Sequence, residues 1–150
     1  MRVVLDTNLV VRAVGDRAGL GREILMLALS DAHTLVLSNS LFSEIRKVLH
    51  YPHIRKIHGL DDKDIQDFLD YLVVGSEPIS VLSYHIGPLV GLDPTDDMVL
   101  LTATAGHADV LGTNNTHLFA PDVQRFANTH GVRILRDVEL IDELRAAPRV

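Results

Sequence analysis

The sequence predicts an α/β fold with a central, mainly parallel sheet of about five strands, covered by helices on both faces. Short apolar segments rich in valine, leucine and isoleucine alternate along the chain with stretches of helical periodicity. This alternation is typical of βαβ units and of the parallel sheets that they build. The 150 residues contain no internal repeat, low-complexity tract or linker, so a single domain over residues 1–150 is expected.

The predicted strands are short apolar runs bounded by polar or turn-forming residues. The first, RVVLD, passes from apolar residues directly into an acid and then into a helical stretch. Runs of this kind, between helices, fit strands of a buried parallel sheet. Strands are predicted at 2–6, 34–38, 79–82, 108–113 and 131–135.

The predicted helices are recognised by the spacing of their apolar residues and by their start and stop signals. Ser38 or Ser40 can cap one helix, and Pro52 ends it. Pro94 and Gly106 bracket another helix, which is almost wholly apolar after its first turn and should be deeply buried. Helices are predicted at 8–14, about 19–31, from 38 or 40 to about 50, 61–73, 93–106, about 121–130 and 138–145.

The composition is that of a well-packed globular protein. Hydrophobic residues make up 47% of the chain, and there is no cysteine. No apolar run approaches the roughly 18 residues that span a membrane, and the N-terminus lacks the features of a signal peptide. The absence of cysteine excludes disulfides and thiolate metal sites and fits the cytoplasm. We therefore expect a cytoplasmic protein without a membrane segment.

The charge is acidic and unevenly distributed. The formal net charge of −6 argues against binding nucleic acid through its phosphates alone. Between Lys63 and Arg125 there is no lysine or arginine, whereas this interval holds nine acids. Such a region can repel phosphate, bind a cation or simply be solvated, and solvation is the default interpretation.

Two acids stand at positions that are open to more than one interpretation. Asp6 follows the first strand, where an aspartate serves as a turn or cap residue. The carboxyl end of a strand is also where open α/β sheets place their sites. Glu44 lies at the edge of the apolar stripe in SNSLFSEIRKVLH. There it is either an ordinary boundary residue or a partly buried carboxylate that needs a partner.

A third group of acids, Asp93, Asp96 and Asp97, crowds the start of the predicted buried helix. One acid suffices to cap a helix, and others complement its dipole. Like charges at spacings of three and four repel each other, however, and a divalent cation would convert that repulsion into binding. Without a metal, at least one of these carboxyls should have a pKa above its ordinary value.

A parallel sheet could bring Asp6, Glu44 and Asp96 together at one end. Oxygen ligands of this kind suit Mg²⁺ or Mn²⁺ rather than zinc. Metals held by carboxylates typically activate water and stabilise charge during phosphodiester cleavage. The acids therefore predict a metal-dependent site for phosphodiester chemistry.

The order and spacing of these segments resemble the PIN-domain family. The matching segments are VVLDTN (3–8), the glutamate of SNSLFSEIRKVLH (38–50), DPTDDMVLLTATAGHADVLGT (93–113) and NNTHLF (114–119). They span almost the whole chain in order. The DPTDD segment is most similar to PIN proteins that are toxin components of toxin–antitoxin systems, related to VapC-type toxins.

This resemblance implies a PIN-like three-layer α/β/α fold and a Mg²⁺- or Mn²⁺-dependent endoribonuclease acting on single-stranded RNA. It also implies a small antitoxin protein as partner and a homodimer as the assembly. Asp6, Glu44 and Asp96 carry over as catalytic acids. The implied metal ligands are Asp6, Glu44, Asp96 and Asp97, and the implied supporting residues are Asn8, Asp93, Thr113 and Asn115.

The sequence departs from the family pattern after the fourth predicted strand. Many members have a threonine-x-aspartate sequence there, whereas this chain has Thr113, Asn114 and Asn115. Asn115 can offer a carbonyl oxygen but no negative charge, so weaker metal binding is expected. The alternative function is therefore a PIN-fold module that has lost nuclease activity and acts through RNA or protein contacts.

One dense basic cluster, HYPHIRKIH (50–58) with the two cations before it, completes the candidate residues. Arg46, Lys47, Arg55 and Lys56 are candidate contacts to RNA phosphates, although a solvated patch or an antitoxin contact fits equally well.

Two other enzyme classes are excluded by the residues after the first strand. Haloacid-dehalogenase phosphatases need a second aspartate where this chain has Asn8. Dinucleotide enzymes need a glycine-rich turn after the first strand, which is absent here.

Overall fold

Five parallel strands form one sheet in the order β3-β2-β1-β4-β5. The computed structural model describes residues 1–81 and 93–146. Parallel pairing requires a crossover between successive strands, and helices supply these crossovers. The strands are β1 (Arg2–Leu5), β2 (Thr34–Ser38), β3 (Ser76–Ile79), β4 (Val110–Gly112) and β5 (Arg133–Leu135).

Helices cover both faces of this sheet, which confirms the three-layer α/β/α class. In β1 the consecutive residues Val3, Val4 and Leu5 are all buried, and successive side chains of a strand point to opposite faces. Both faces must therefore be covered. The helices are α1 (Thr7–Gly15), α2 (Leu20–Ala28), α3 (Asn39–Leu49), α4 (Pro52–His58), α5 (Asp62–Gly75), α6 (Pro94–Ala105), α7 (Pro121–Thr129) and α8 (Asp137–Ala146), with a 3₁₀ turn at Thr116–Phe119.

The strand predicted at 79–82 is displaced in the structure. β3 instead spans Ser76–Ile79, Ser80 and Val81 lie outside it, and residue 82 lies outside the described residues. Pro78 falls within the strand, because β3 is at an edge of the sheet, where a missing backbone N–H leaves no ladder hydrogen bond unmade. The predicted strand began directly after this proline, whereas the strand in the structure includes it.

Helix α4 was not predicted. Pro52 was expected only to end the preceding helix, but it also occupies the first turn of α4. Proline is favoured at that position because its fixed φ suits a helix and the first N–H groups need no intrahelical partner. Gly59 ends α4 with a left-handed φ of 68°, as helix-ending glycines commonly do.

Helix α6 packs in the interior, as its apolar sequence predicts. Val99, Leu100 and Ala103 are fully or almost fully buried. A hydrogen-bond chain fixes α6 to the end of β2: the Leu41 N–H donates to Ser38 Oγ, and Ser38 Oγ lies 2.8 Å from Thr102 Oγ1. Because these polar groups are buried and paired, they fix one position of α6 over the sheet.

Among the described helices, none is both long enough and apolar enough to cross a membrane.

Gly106→Ala tests the close contact between the end of α6 and β2. A Cβ at Gly106 would lie 2.6 Å from Val36 Cγ1 and 2.9 Å from the Thr102 carbonyl oxygen. We expect overpacking to lower the free energy of unfolding by about 1–3 kcal/mol in urea titration. At Gly59, where nothing lies within 4 Å, alanine should cost only the left-handed backbone penalty of about 1 kcal/mol. A Gly106→Ala protein as stable as wild type would contradict the contact.

Candidate functional site

Asp6 lies directly after β1, at the carboxyl end of the sheet. Its backbone N–H donates to the Gly112 carbonyl oxygen at 2.9 Å, which continues the pairing of β1 with β4. The side chain is 7% exposed and makes no capping hydrogen bond to α1. Instead, Oδ2 accepts a 2.7 Å hydrogen bond from Thr113 Oγ1. Asp6 is therefore not an ordinary helix cap, because its carboxylate is held across the sheet by the residue after β4.

Asp93 and Asp96 have different roles at the start of α6. Asp93 caps the helix by accepting the Asp96 N–H at 2.9 Å. Asp96 is 7% exposed, and its Oδ1 accepts a 2.8 Å hydrogen bond from Asn115 Nδ2. Its Oδ2 is buried without a hydrogen bond, and His117 Nδ1 lies 3.7 Å from that oxygen. A buried carboxylate oxygen without a hydrogen-bond partner is the kind of group that a cation satisfies.

A hydrogen-bond chain connects Asp6 to Asp96 through the loop after β4. Thr113 donates its hydroxyl to Asp6 and accepts the Asn115 N–H at 3.0 Å on the same oxygen. The side-chain Nδ2 of Asn115 then donates to Asp96, while its side-chain Oδ1 accepts the His117 N–H at 3.0 Å. Asn115 thus turns its donor toward Asp96 and uses its oxygen to start the 3₁₀ turn.

The side-chain pKa values of Asp6 and Asp96 are both raised. Burial is the main cause that raises the pKa of Asp6, and the negative charge of Asp93 adds to it, whereas the Thr113 hydrogen bond opposes it. Burial also raises the pKa of Asp96 most, followed by the charges of Asp93 and Asp6, and the Asn115 hydrogen bond opposes the shift. The direction agrees with the expectation from clustered acids, but desolvation contributes more than repulsion.

Asp93 and Asp96 border a cavity of about 520 Å³, here called the acid cavity. Asp93, Asp96 and Asn115 line it on one side, and Asn8 and Arg12 of α1 line it on the other. Among the described residues that line it, Arg12 is the one lysine or arginine. Sequence reasoning missed it, although its position four residues after Asn8 places both side chains on one face of α1.

The remaining predicted residues lie on helices α3, α4 and α6. Glu44 is half-buried on α3, Asp97 is half-buried on the first turn of α6, and Glu44 is not among the groups that shift the Asp6 or Asp96 carboxyls. Of the candidate RNA contacts, Arg55 pairs with Asp62. The other three, Arg46, Lys47 and Lys56, are exposed on α3 and α4.

The residues that do converge fit a hard cation with few protein ligands. Within residues 1–81 and 93–146, no three histidine, aspartate or glutamate side chains come close enough to hold a metal without further ligands. Mg²⁺ typically keeps several waters and binds through one or two carboxylates together with substrate phosphates. Asp6 and Asp96, with an Oδ2 of Asp96 that has no hydrogen bond, match that requirement.

Asp96→Asn should stabilise the metal-free protein at neutral pH. A carboxyl whose pKa is raised by folding opposes folding once it is ionised. This cost is absent well below the ordinary aspartate value of 3.8 and is fully present above the raised pKa. In chelator, we expect a gain of about 0.5–2 kcal/mol at pH 7 that disappears as the pH falls toward 3.8.

Thermal unfolding followed between acid and neutral pH measures this gain. Asp142→Asn, on the exposed side of α8, is the matched control and should show no comparable gain. A wild type that is more stable than Asp96→Asn at neutral pH in chelator would contradict the electrostatic description of the cluster.

Comparison with known proteins identifies the family. The PIN domain family profile matches residues 2–117, which include Asp6, Asp96 and Asn115. VapBC2 from Rickettsia felis, in a crystal structure with a DNA fragment from their promoter, matches with a TM-score of 0.60 and 19% identity. The match covers 91% of this chain and 98% of that chain; at this identity it shows a shared fold. No curated protein matches at a significant level. With most of its length matched, the chain belongs to the PIN-domain family.

Proposed function

We propose that the protein is a metal-dependent endoribonuclease of the VapC type that hydrolyses phosphodiester bonds in single-stranded RNA. PIN domains are generally nucleases. The observation that carries the proposal is the pair of buried carboxylates joined through Thr113 and Asn115, with one oxygen of Asp96 left without a hydrogen bond. Mg²⁺ or Mn²⁺ is the proposed cofactor, because these oxygen ligands suit hard cations.

In the proposed site, each residue of the cluster would have a separate role in binding the cation. Thr113 donates to Oδ2 of Asp6 and so fixes the direction of that carboxylate. Asn115 occupies Oδ1 of Asp96, which leaves Oδ2 for a cation. A bound Mg²⁺ or Mn²⁺ would activate water and stabilise the charge that develops on the phosphate. Arg12, which lines the same cavity, supplies a guanidinium that attracts the substrate phosphate.

The outer residues of the proposal come from the resemblance to PIN proteins. Glu44 and Asp97 are proposed as further acids of the metal site, Asn8 as a polar support near Asp6, and Asp93 as the residue that sets the start of α6. Glu44→Gln, on a half-buried helix position, tests the third acid without changing the size of the side chain.

The proposed partners are an RNA substrate and a small antitoxin protein. Support for the antitoxin comes from the fold shared with VapBC2 of Rickettsia felis, whose structure contains a fragment of their promoter DNA. A homodimer and a cytoplasmic location complete the proposal. The lack of cysteine is compatible with a reducing compartment.

One observation favours the alternative of a PIN-fold binding module without catalysis. The side-chain amide of Asn115 donates a hydrogen bond to Asp96. This bond offsets part of the desolvation cost of the buried carboxylate without any metal. In such a module, Mn²⁺ would bind weakly or not at all, and RNA binding would not depend on it. Metal titration followed by calorimetry therefore separates the two functions.

Asp6→Asn and Asp96→Asn should each reduce Mn²⁺-dependent cleavage of single-stranded RNA by roughly 100-fold or more, because each removes a charged ligand. Thr113→Val should reduce it by about 10–100-fold, because the Asp6 carboxylate loses its orienting hydrogen bond. Cleavage is measured with labelled RNA at saturating Mn²⁺. Asp142→Asn is the control and should keep wild-type activity. Equal rates in wild type and the Asp6→Asn, Asp96→Asn double variant would rule out this mechanism and expose a contaminating nuclease.

Asn115→Asp should change metal-free stability and metal affinity in opposite directions. Without metal, two carboxylates would face each other in place of the 2.8 Å hydrogen bond from Asn115 Nδ2 to Asp96, and we expect a loss of about 1–3 kcal/mol. With Mn²⁺, the added charge should tighten Kd about tenfold. Calorimetry and thermal unfolding with and without metal measure both effects. An unchanged Kd would remove position 115 from the metal site.

A further inference from the structure

A second concave surface lies next to the acid cavity and is mostly apolar. This surface, here called the side groove, has a volume of about 440 Å³ and lies between α1, the start of α2 and α4. Aliphatic side chains, namely Val11, Leu20, Ile54 and Ile57, form its walls. Its size falls within the range of about 300–1,000 Å³ of small-molecule pockets. Ile57 is 68% exposed, so its aliphatic side chain is accessible to a ligand in the groove.

The side groove adjoins the acid cavity. Asn8 and Arg12 line both, and they stand one helical turn apart on α1. A ligand that extends along α1 would therefore pass from the acids to the aliphatic walls without leaving the surface. The side groove therefore flanks the proposed active site.

Arg12 stands at the junction of the two cavities with its guanidinium anchored on one side. Its Nη1 lies 3.4 Å from Asp137 Oδ2, and the Arg12 side chain is 54% exposed. Asp137 is itself held by Asn114 Nδ2 at 2.9 Å, so it does not depend on Arg12 alone. The guanidinium has five N–H donors in a planar fork, and this one contact leaves donors for a phosphate.

The rim of the side groove has the groups that a nucleotide requires. Helix α4, which forms one wall, also carries the exposed Lys56, whose positive charge favours a polyanion. Asp16 on the opposite rim accepts the Ala18 N–H at 3.2 Å, and its carboxylate has further acceptor positions. Each RNA base presents at least one N–H donor on its Watson–Crick edge, which is the edge that proteins read on single strands.

The walls of the side groove are held in place by close packing. A Cβ at Gly15 would lie 3.2 Å from Ile57 Cγ2, so α4 rests directly on the end of α1. His58 is fixed at both ring nitrogens: Nε2 lies 2.9 Å from the Leu49 carbonyl oxygen, and Nδ1 accepts the Leu60 N–H at 2.9 Å. The groove is therefore preformed, and a ligand need not order it on binding.

We propose that the side groove is a subsite for one unstacked base of the RNA substrate, and that Arg12 holds the phosphate that links this nucleotide to the scissile bond. The inference rests on the proposed nuclease function and adds the substrate contacts that would position the RNA. Ile57 contacts the base, and Arg12 is a positioning residue for the backbone. Recognition of single strands through one buried base and its adjacent phosphate is a common physical solution.

The two contacts have different signatures in binding experiments. Proteins that also carry Asp96→Asn, and so do not cleave, are titrated with a short single-stranded RNA of mixed sequence and with the same ribose-phosphate chain lacking bases. Fluorescence anisotropy at several salt concentrations gives Kd and its salt slope. Val74→Ala is the control for Ile57→Ala, because Val74 is 86% exposed on α5 and lines neither cavity. Arg125→Gln on α7 is the control for Arg12→Gln.

Ile57→Ala should weaken RNA binding about fivefold, because aliphatic surface against the base is lost, and it should leave the binding of the base-free chain unchanged. Arg12→Gln should weaken both ligands and reduce the salt slope by about 0.7, the value of one phosphate on a single strand. Ile57→Ala should leave the slope unchanged. Val74→Ala and Arg125→Gln should give the same Kd and salt slope as the protein that carries Asp96→Asn alone.

The proposal is overturned if Ile57→Ala binds RNA as tightly as the Val74→Ala control, which is also the outcome expected if a peptide of a protein partner occupies the groove. Equal weakening of RNA and the base-free chain would overturn it as well, because the contact would not be with a base. Hydrolysis of methyl p-nitrophenyl phosphate, a diester without a base, with Mn²⁺ reports on the acid cavity alone. Failure of that hydrolysis would count against the nuclease, whereas the binding measurements would still decide the base subsite.

Discussion

The buried hydrogen bond from Thr113 to Asp6 is the interaction on which the rest of the site depends. It joins the carboxyl ends of β1 and β4, whose register pairs Leu5 with Gly112 and so places the following residues side by side. Because both partners are buried, loss of either one would leave a polar group without water or protein to satisfy it. From Thr113 the chain continues through Asn115 to Asp96, so the position of α6 is tied to the same bond.

This arrangement places two buried carboxyl groups, whose ionisation is unfavourable, at one end of an otherwise well-packed sheet. The interior is filled by aliphatic residues of every strand and of the helices on both faces, and this burial supplies the stability. Against that background the protein keeps Asp6 and Asp96 buried with raised pKa values. Groups of this kind are a common sign of a functional site, because a fold selected for stability alone would have no need of them.

The sequence was sufficient for the parts of the fold in which local pattern and tertiary structure agree. Apolar runs located β1, β2, β4 and β5, and the Asp93–Pro94 start located α6 to within a residue. The pattern misjudged Pro52 and Pro78, because the consequence of a proline depends on whether its position needs an N–H, which only the assembled helix or sheet determines.

The sequence predicted that Asp6 and Asp96 lie at one end of the sheet, and in the structure a hydrogen-bond chain connects them; their surroundings could not be predicted. The meeting of Asp6 and Asp96 follows from strand order, since the carboxyl ends of parallel strands share an edge. The orientation of the Asn115 amide and the position of Arg12 beside both cavities depend on side-chain directions. Residue spacing along the chain does not determine these directions.

The two edges of the sheet limit how the protein can associate with other chains. At one edge Pro78 removes a donor from β3, and at the other β5 is only three residues long and carries Arg133, which pairs with Glu143. Short strands, proline and charge at the edges prevent a second chain from extending a sheet by backbone hydrogen bonds. Among the described residues, the helical faces therefore offer a partner protein or a second copy of this chain the better surface, where recognition depends on the shape and charge of side chains and not on strand pairing.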